Sequence, residues 1–319
     1  MLRLGLNIAA GLPAGHAHNV VDDLVARTRA AAAAGLPTAW LPQGYAHDTL
    51  TSLAAIAREV PGIELGASVV VVQPRHPRVL AAQAQTVQAA SHGRLTLGLG
   101  VSHPGLLEVY GIPFAQPVEA LRDHLDVLLP ILDGKAVPGA TGVGSDAAST
   151  TVPGAVPRVP VLLGALGPRM LRLAGERTDG TITFLAGPRT IGEHVVPLLG
   201  RAAAAAGRPR PRVVAGLPVA VTSSPDRVRA QVARENEALA ALPSYRTALD
   251  RDGFDDAGAM VIAGDEDLVA ADLSRYAGLG VTDALISLVG EPAERQRTLQ
   301  LLGHLAADHR TVPSGAPPP

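Results

Sequence analysis

With 319 residues, the chain can fill one large α/β barrel or two modest domains. A net charge of −2, with 18% charged residues and no basic run, leaves no face for nucleic acid and no solvating charge block. The absence of cysteine excludes thiol nucleophiles, disulfides and thiolate metal sites, and no stretch approaches the ~20 unbroken apolar residues of a membrane helix. The N-terminus lacks the layout of a secretory signal, so the expectation is a cytoplasmic protein with neither a nucleic-acid nor a membrane partner.

Leu2 to Ala9 reads as a first strand, and Asn19 to Ala34 as a helix with Asn19 as N-cap and Gly35 just past its end. Pro37 to Pro42 is a second strand and Asp48 to Val60 a second helix. Ile63 to Val72, rich in β-branched residues, is a third strand, and Pro77 to Ala90 a helix with proline in its first turn. Arg94 to Val101 alternates leucines with Thr96 and Gly98, as suits a strand buried on both faces. A short helical piece at Pro104 to Tyr110 and a helix from Pro117 to about Leu132 follow.

Periodicity lapses over 134–157, an excursion rich in Gly, Ser, Thr and Pro. The alternation resumes with strand Val159 to Leu163, helix Arg169 to Arg177, strand Gly180 to Leu185 and helix Pro188 to Ala206. Strand Arg212 to Val221 and helix Pro225 to Ala241 come next, then a second irregular insert over 243–258. Leu268 to Gly278 is helical, Val281 to Val289 is the eighth strand, and Pro292 to Asp308 the last helix. Eight βα units in this length predict a single (β/α)8 barrel over residues 1–312, with two inserts and a disordered tail at 313–319.

Candidate chemistry gathers where strands end. Gly98 and Gly100 remove side chains at the end of the fourth strand, where a flat ligand could lie against backbone; the alternative is a tight core strand. Ser102 and His103 follow, and His103 is the best acid–base candidate, although a lone loop histidine is often structural. Gly164-Ala165-Leu166-Gly167-Pro168, between a strand and a helix, presents backbone N–H groups to an anion or else makes a tight turn. Arg75 and His76 open a helix as a ligand-facing edge or a solvated turn, and Trp40 walls a flat ligand or packs the core. The dinucleotide fingerprint is incomplete at Gly98-Leu-Gly100, and there is no P-loop lysine, GxSxG elbow, HExxH or metal-ligand histidine spacing.

Taken together, Gln-Pro-Arg75-His76-Pro77, Ala90-Ser-His-Gly93-Arg94 running to His103, Leu163 to Gly180, Ala-Gly-Arg208-Pro, Pro243-Ser-Tyr-Arg and Tyr276 to Asp283 resemble the luciferase-like monooxygenase superfamily, specifically its coenzyme F420-dependent oxidoreductases. The match runs from about Leu4 to Val289. The resemblance implies a homodimeric barrel with the deazaflavin across the carboxyl ends of the strands and a non-prolyl cis peptide at Ser68-Val69 beneath its ring. It also implies that Gln43, Val101, Ser102 and His103 border the cofactor, that Ala165, Leu166 and Gly167 hold its phosphate end, and that Thr183 and Leu185 line the groove. Trp40 and Tyr245 are candidates for the substrate pocket.

Two departures matter. Gln43-Gly44 stands where many relatives carry Asp-His, so the imidazole base used on alcohols is missing. His103 stands where some relatives carry an acidic proton donor. The missing base favours reduction of a C=C or C=N bond in a small molecule or modified peptide, including dehydroamino-acid units, over alcohol oxidation, with His103 or a water that it orients supplying the proton. The alternatives are an FMN-dependent monooxygenase that uses O2, or a barrel without redox turnover, either a non-catalytic cofactor binder or a phosphate-binding isomerase or lyase.

Overall fold

Nine parallel strands, eight of them closed into a ring, form the computed structural model, which describes residues 2–12, 19–44, 46–139, 146 and 150–311. The strands are β1 (Arg3–Asn7), β2 (Thr38–Leu41), β3 (Glu64–Val71), β4 (Leu95–Gly100), β5 (Val161–Gly164), β6 (Gly180–Thr183), β7 (Arg212–Val221), β8 (Ile262–Gly264) and β9 (Asp283–Leu288). The sheet runs β1 to β7 in order, then β9, which pairs back to β1. Short β8 stands outside the ring and pairs only with Val219–Val221 at the overhanging end of β7. This is the expected (β/α)8 barrel, with one strand that the sequence did not announce.

Helices cover the ring: α1 (Val20–Ala33), α2 (Thr49–Glu59), α3 (Pro77–Ala90), α4 (Pro104–Val109), α5 (Pro117–Leu132), α6 (Pro168–Arg177), α7 (Val196–Ala205), α8 (Pro225–Glu235), α9 (Glu237–Ala240), α10 (Pro243–Asp252), α11 (Glu266–Gly278) and α12 (Pro292–Thr311). Their boundaries follow local chemistry. Asn19 accepts from the Val21 N–H at 3.0 Å, Asp48 from Thr51 at 2.8 Å, and Gly35 takes the left-handed φ of +80° past α1. Arg94, placed by the Ser-His-Gly turn, donates to the carbonyls of Ala57 at 2.9 Å and Val60 at 3.2 Å, so it satisfies the open end of α2.

Three expectations are corrected. The helix expected over 188–206 contains a π-helical turn at Thr190–Val195 before α7. The helix expected over 225–241 breaks at Asn236. The insert at 243–258, expected to be irregular, forms α10 and a 3₁₀ turn at Ala257–Met260. In the first insert, 140–145 and 147–149 lie outside the described residues, as does the tail from 312. The returning end is pinned to α3, where Gln85 donates to Thr150 O at 2.9 Å and accepts from Val152 N at 3.0 Å.

The inside of the ring is layered. At the amino end, Arg212 on β7 pairs with Asp283 at 2.7 Å and crosses to Thr96 on β4 at 3.2 Å; Arg3 adds Glu64 at 2.7 Å. Above this plug lies Trp40, 0% exposed, among Leu162, Ile182, Val214 and Leu285. A Cβ at Gly66 would fall 2.0 Å from its ring and one at Gly5 2.5 Å, so those glycines exist to admit the indole. Trp40 is therefore core packing rather than a pocket wall. Among the described residues, no helix is long and apolar enough to cross a membrane.

Candidate active site at the carboxyl end of the barrel

β3 breaks register with β4 between Ala67 and Val70, and the Ser68–Val69 peptide bond there is cis. The bulge, not a ligand, fills the space left by the glycines of β4. A Cβ at Gly98 would meet Ala67 O at 2.2 Å, and one at Gly100 would meet Val69 Cγ2 at 2.5 Å. Gly164 completes the cradle, with Val69 methyls 3.6 and 3.8 Å from its Cβ position. The expectation of bare backbone for a flat ligand at Gly98 and Gly100 is thus corrected. The Ser68 hydroxyl is left buried without a hydrogen-bond partner.

Val101, Ser102 and His103 continue from β4, all half-exposed. Ser102 has φ +59° and Leu185, after β6, φ +49°. Non-glycine residues adopt this region rarely and cluster at functional sites when they do. His103 takes the N-cap position of α4 without capping it, which leaves its ring uncommitted. Gln73, which sequence reasoning missed, donates from Nε2 to Val101 O at 2.8 Å and so fixes the strand end that carries Ser102 and His103. Its Oε1 is buried and unpartnered.

Gln43 is committed elsewhere than to a ligand. Its Oε1 accepts from Val71 N at 3.0 Å and from Arg75 at 2.8 Å, and Arg75 pairs with Asp48. Burial alone would push the Asp48 carboxyl up, but the Thr51 and Arg75 hydrogen bonds hold it below the usual range. The Arg75 edge is therefore an internal tie between the ends of β2 and β3, and His76 caps α3 by accepting from Arg78 N at 3.2 Å.

Around β5 and β6, Ala165 is buried, Leu166 half-buried and Gly167 exposed at the start of α6, where Pro168 occupies the first position. Leu166 O accepts from His194 at 3.0 Å across the π-helical turn. Asp252, at the end of α10, anchors that turn by accepting from Gly187 N at 2.8 Å and Thr190 N at 2.9 Å. Thr183 and Leu185, expected to line the groove, are buried; the Thr183 hydroxyl reaches Val214 O at 3.5 Å. What faces the opening is Phe184, 37% exposed, with the Tyr245 ring edge-on at 6.0 Å. Burial pushes the Tyr245 phenol pKa up, so it stays a neutral donor.

A cavity of about 560 Å3 lies at the other end of the barrel, lined by Leu2, Leu36, Ile63 and the Arg3–Glu64 pair. Barrels of this kind keep stability there and chemistry at the carboxyl end. Ser102 and Leu185, left-handed just past β4 and β6, and the unpartnered Ser68 and Gln73 atoms agree with that division.

The sequence matches the luciferase-like monooxygenase family over residues 2–299. It is 30% identical over 214 residues to a putative coenzyme F420-dependent oxidoreductase of Mycobacterium tuberculosis, a match covering 60% of this chain and 58% of that relative. In fold it is similar to the coenzyme F420-dependent tetrahydromethanopterin reductase of Methanopyrus kandleri, with TM-score 0.78, 22% identity and coverage of 97% and 99% of the two chains. It is also similar to the FMN-bound oxygenating constituent of 3,6-diketocamphane monooxygenase from Pseudomonas putida, with TM-score 0.75, 16% identity and coverage of 97% and 98%. On the extent of the family match, together with the closed barrel, this chain belongs to the luciferase-like monooxygenase family.

Proposed function

We propose that the protein is a coenzyme F420-dependent oxidoreductase that moves a hydride between the cofactor and a small organic substrate, in the direction of C=C or C=N reduction. The observation that carries this reading is the β3 bulge. Ser68 and Val69 are seated on Gly98, Gly100 and Gly164, with the Ser68 hydroxyl buried and unpartnered at the catalytic end of the barrel. A buried hydroxyl without a partner is unfavourable unless a ligand completes it, so the residues present fit a flat, hydrogen-bonding cofactor. Ser68, Val69, Val101 and Ser102 would hold its ring, and Ala165, Leu166 and Gly167 its phosphate end.

When bound, F420 supplies hydride chemistry at C5 of its deazaflavin. The chain's own contribution is orientation, exclusion of water and a proton. His103, uncommitted at the head of α4, would give that proton to the substrate directly or through a water that it orients. Gln43 supports the direction of the reaction. Its amide oxygen is tied to Val71 and Arg75, and an amide takes up no proton, so position 43 itself offers no general base to an alcohol. Small unsaturated or imine compounds, including dehydroamino-acid units, are the substrates this arrangement suits.

Parallel calorimetric titrations with F420 and FMN test the cofactor. Tight F420 binding with weak FMN binding is expected, and the reverse would move the protein to the FMN-dependent oxygen-using reading that the diketocamphane monooxygenase likeness favours. His103→Ala is expected to lower turnover. Unchanged turnover across the pH range would remove His103 from the mechanism.

A further inference from the structure

Gln73 uses only half of its amide. Its Nε2 donates to Val101 O at 2.8 Å, while its Oε1 is buried and without a partner among the described residues. The two ends cannot be exchanged, because Val101 O only accepts and would repel an amide oxygen turned toward it. The –NH2 group therefore faces the end of β4, and the bare oxygen faces away from it.

The local sequence keeps this oxygen bare. Pro74 follows and has no N–H to offer it. Val72 N–H goes to Gly100 O at 3.1 Å, and Arg75 N–H to Val72 O at 3.0 Å. The Arg75 guanidinium is engaged by Gln43, Val71 O and Asp48. Gln73 itself stands just past β3, tied to the strand end that carries Ser102 and His103. Its oxygen differs from the Ser68 hydroxyl in what it selects. A hydroxyl can give or take a hydrogen bond, whereas Oε1 can only take one, so it admits an N–H or O–H group and disfavours a carbonyl or an anion. Without such a donor it is an unsatisfied buried acceptor, unfavourable to the free fold.

We propose that Gln73 is a binding residue whose Oε1 accepts from the imide N–H on the pyrimidine edge of the bound cofactor ring. The inference rests on the proposed cofactor, in that Val101 and Ser102 border its ring; Gln73, bonded to Val101 O, then meets the rim. The phosphate end is kept from this corner, since an anion there would face an acceptor. On the rim the imide N–H lies between two carbonyls, so an acceptor fits at one point only, and Gln73 fixes how far the ring slides over the β3 bulge. Deazaflavins and flavins share this imide. Gln73 thus reads the edge common to both and leaves the choice between them to other contacts.

Fluorescence titration of wild type and Gln73→Met, each with F420 and with F420 methylated at the imide nitrogen, tests the contact. Methionine keeps the length of the side chain and loses both amide hydrogen bonds. Loosening of the Val101 tie weakens both ligands alike and cancels in the comparison. Wild type is expected to bind the methylated ligand about tenfold more weakly, the loss of one hydrogen bond with its acceptor left buried, and Gln73→Met to bind the two about equally. Thermal melts establish that the variant folds, with Gln73→Leu in reserve. A penalty of the same size in the variant would be steric, and equal binding of both ligands by wild type would mean that a buried water alone meets Oε1; either overturns the contact. Failure of F420 to bind wild type would instead overturn the cofactor assignment. FMN and its imide-methylated analogue would then decide the contact by the same comparison, and binding of neither cofactor would overturn both.

Discussion

The cradle of glycines around Val69 yields a test that needs no ligand. In Gly100→Ala the new methyl would lie 2.5 Å from Val69 Cγ2, while its next neighbour is at 3.6 Å, so the clash is with one side chain. Val69 is flanked by the backbones of Gly98 and Gly164, close enough that a Cβ built on either would stand 3.1 or 3.6 Å from its Cγ1. The cost therefore falls in the overpacking range of about 1–3 kcal/mol. Val69→Ala alone removes two methyl groups from a half-buried site, about 1–2 kcal/mol. If the glycine exists to admit Val69, the double variant loses the clash and is no less stable than Val69→Ala. The coupling energy is then about 1–3 kcal/mol. Urea unfolding reads this as a shift in midpoint at constant slope. Gly44→Ala is the control, since a Cβ there meets nothing within 4 Å. Losses in the double variant equal to the sum of the two singles would refute the account of the bulge.

Three further outcomes follow from single groups. Asp283, 2% exposed, holds Arg212 at 2.7 Å in the plug, so Asp283→Asn strands a half-buried guanidinium and should destabilise the fold by about 3–5 kcal/mol in urea while leaving cofactor affinity unchanged. His124, 7% exposed, has its pKa pushed down to about 4 by burial, with His76 adding to the effect. The native state thus prefers neutral His124: stability is complete above the ordinary imidazole range and is lost as pH falls from about 6.5 through 4, by at most roughly 3 kcal/mol. His124→Gln should flatten stability against pH in that window in acid-unfolding curves, and an unaltered curve would contradict the assignment. Gln73→Ala frees the Val101 carbonyl and should lower stability by only about 1 kcal/mol, yet weaken F420 binding severalfold by loosening Ser102 and His103; equal affinity in titration would show that the tie is structural alone.

Much of the fold was legible because helix ends and buried strands carry local signals. Asn19, Asp48, Pro77 and Pro168 mark helix starts where the structure has them, and α3 matches its expected bounds residue for residue. β8 was not legible, since three residues paired to one overhang have no periodicity to read. Helix α10 buries only Ala248 and Leu249, too little of an apolar stripe to separate it from a loop. The site divides in the same way. The run that ends in Ser102 and His103 announced itself, but the left-handed backbone at Ser102 and Leu185 depends on packing and leaves no compositional trace. Gly98 and Gly100 announced a missing side chain without saying what fills the space, and that proved to be β3. Thr183 and Leu185 do share a face, as a period of two requires, but that face is buried and the intervening Phe184 looks outward.

The two ends of the barrel differ in how their polar atoms are satisfied, and this difference separates stability from function. At the amino end Arg3, Glu64, Thr96, Arg212 and Asp283 engage one another in a plug of ion pairs and hydrogen bonds. Of the eight buried side-chain atoms without a partner among the described residues, four belong to Ser68, in the β3 bulge, and to His47, Thr49 and Gln73, where β2 and β3 give way to their helices. Unpaired buried polar atoms are unfavourable to the free fold, and their concentration at one end is what a surface shaped for a hydrogen-bonding ligand requires. Trp40 and the ring of glycines lie between the two ends, packed tightly enough to keep the bulge in place. Binding capacity is thus held at the carboxyl end by a core and a plug that take no part in binding, which is why Asp283 and Gln73 are expected to affect different measurements.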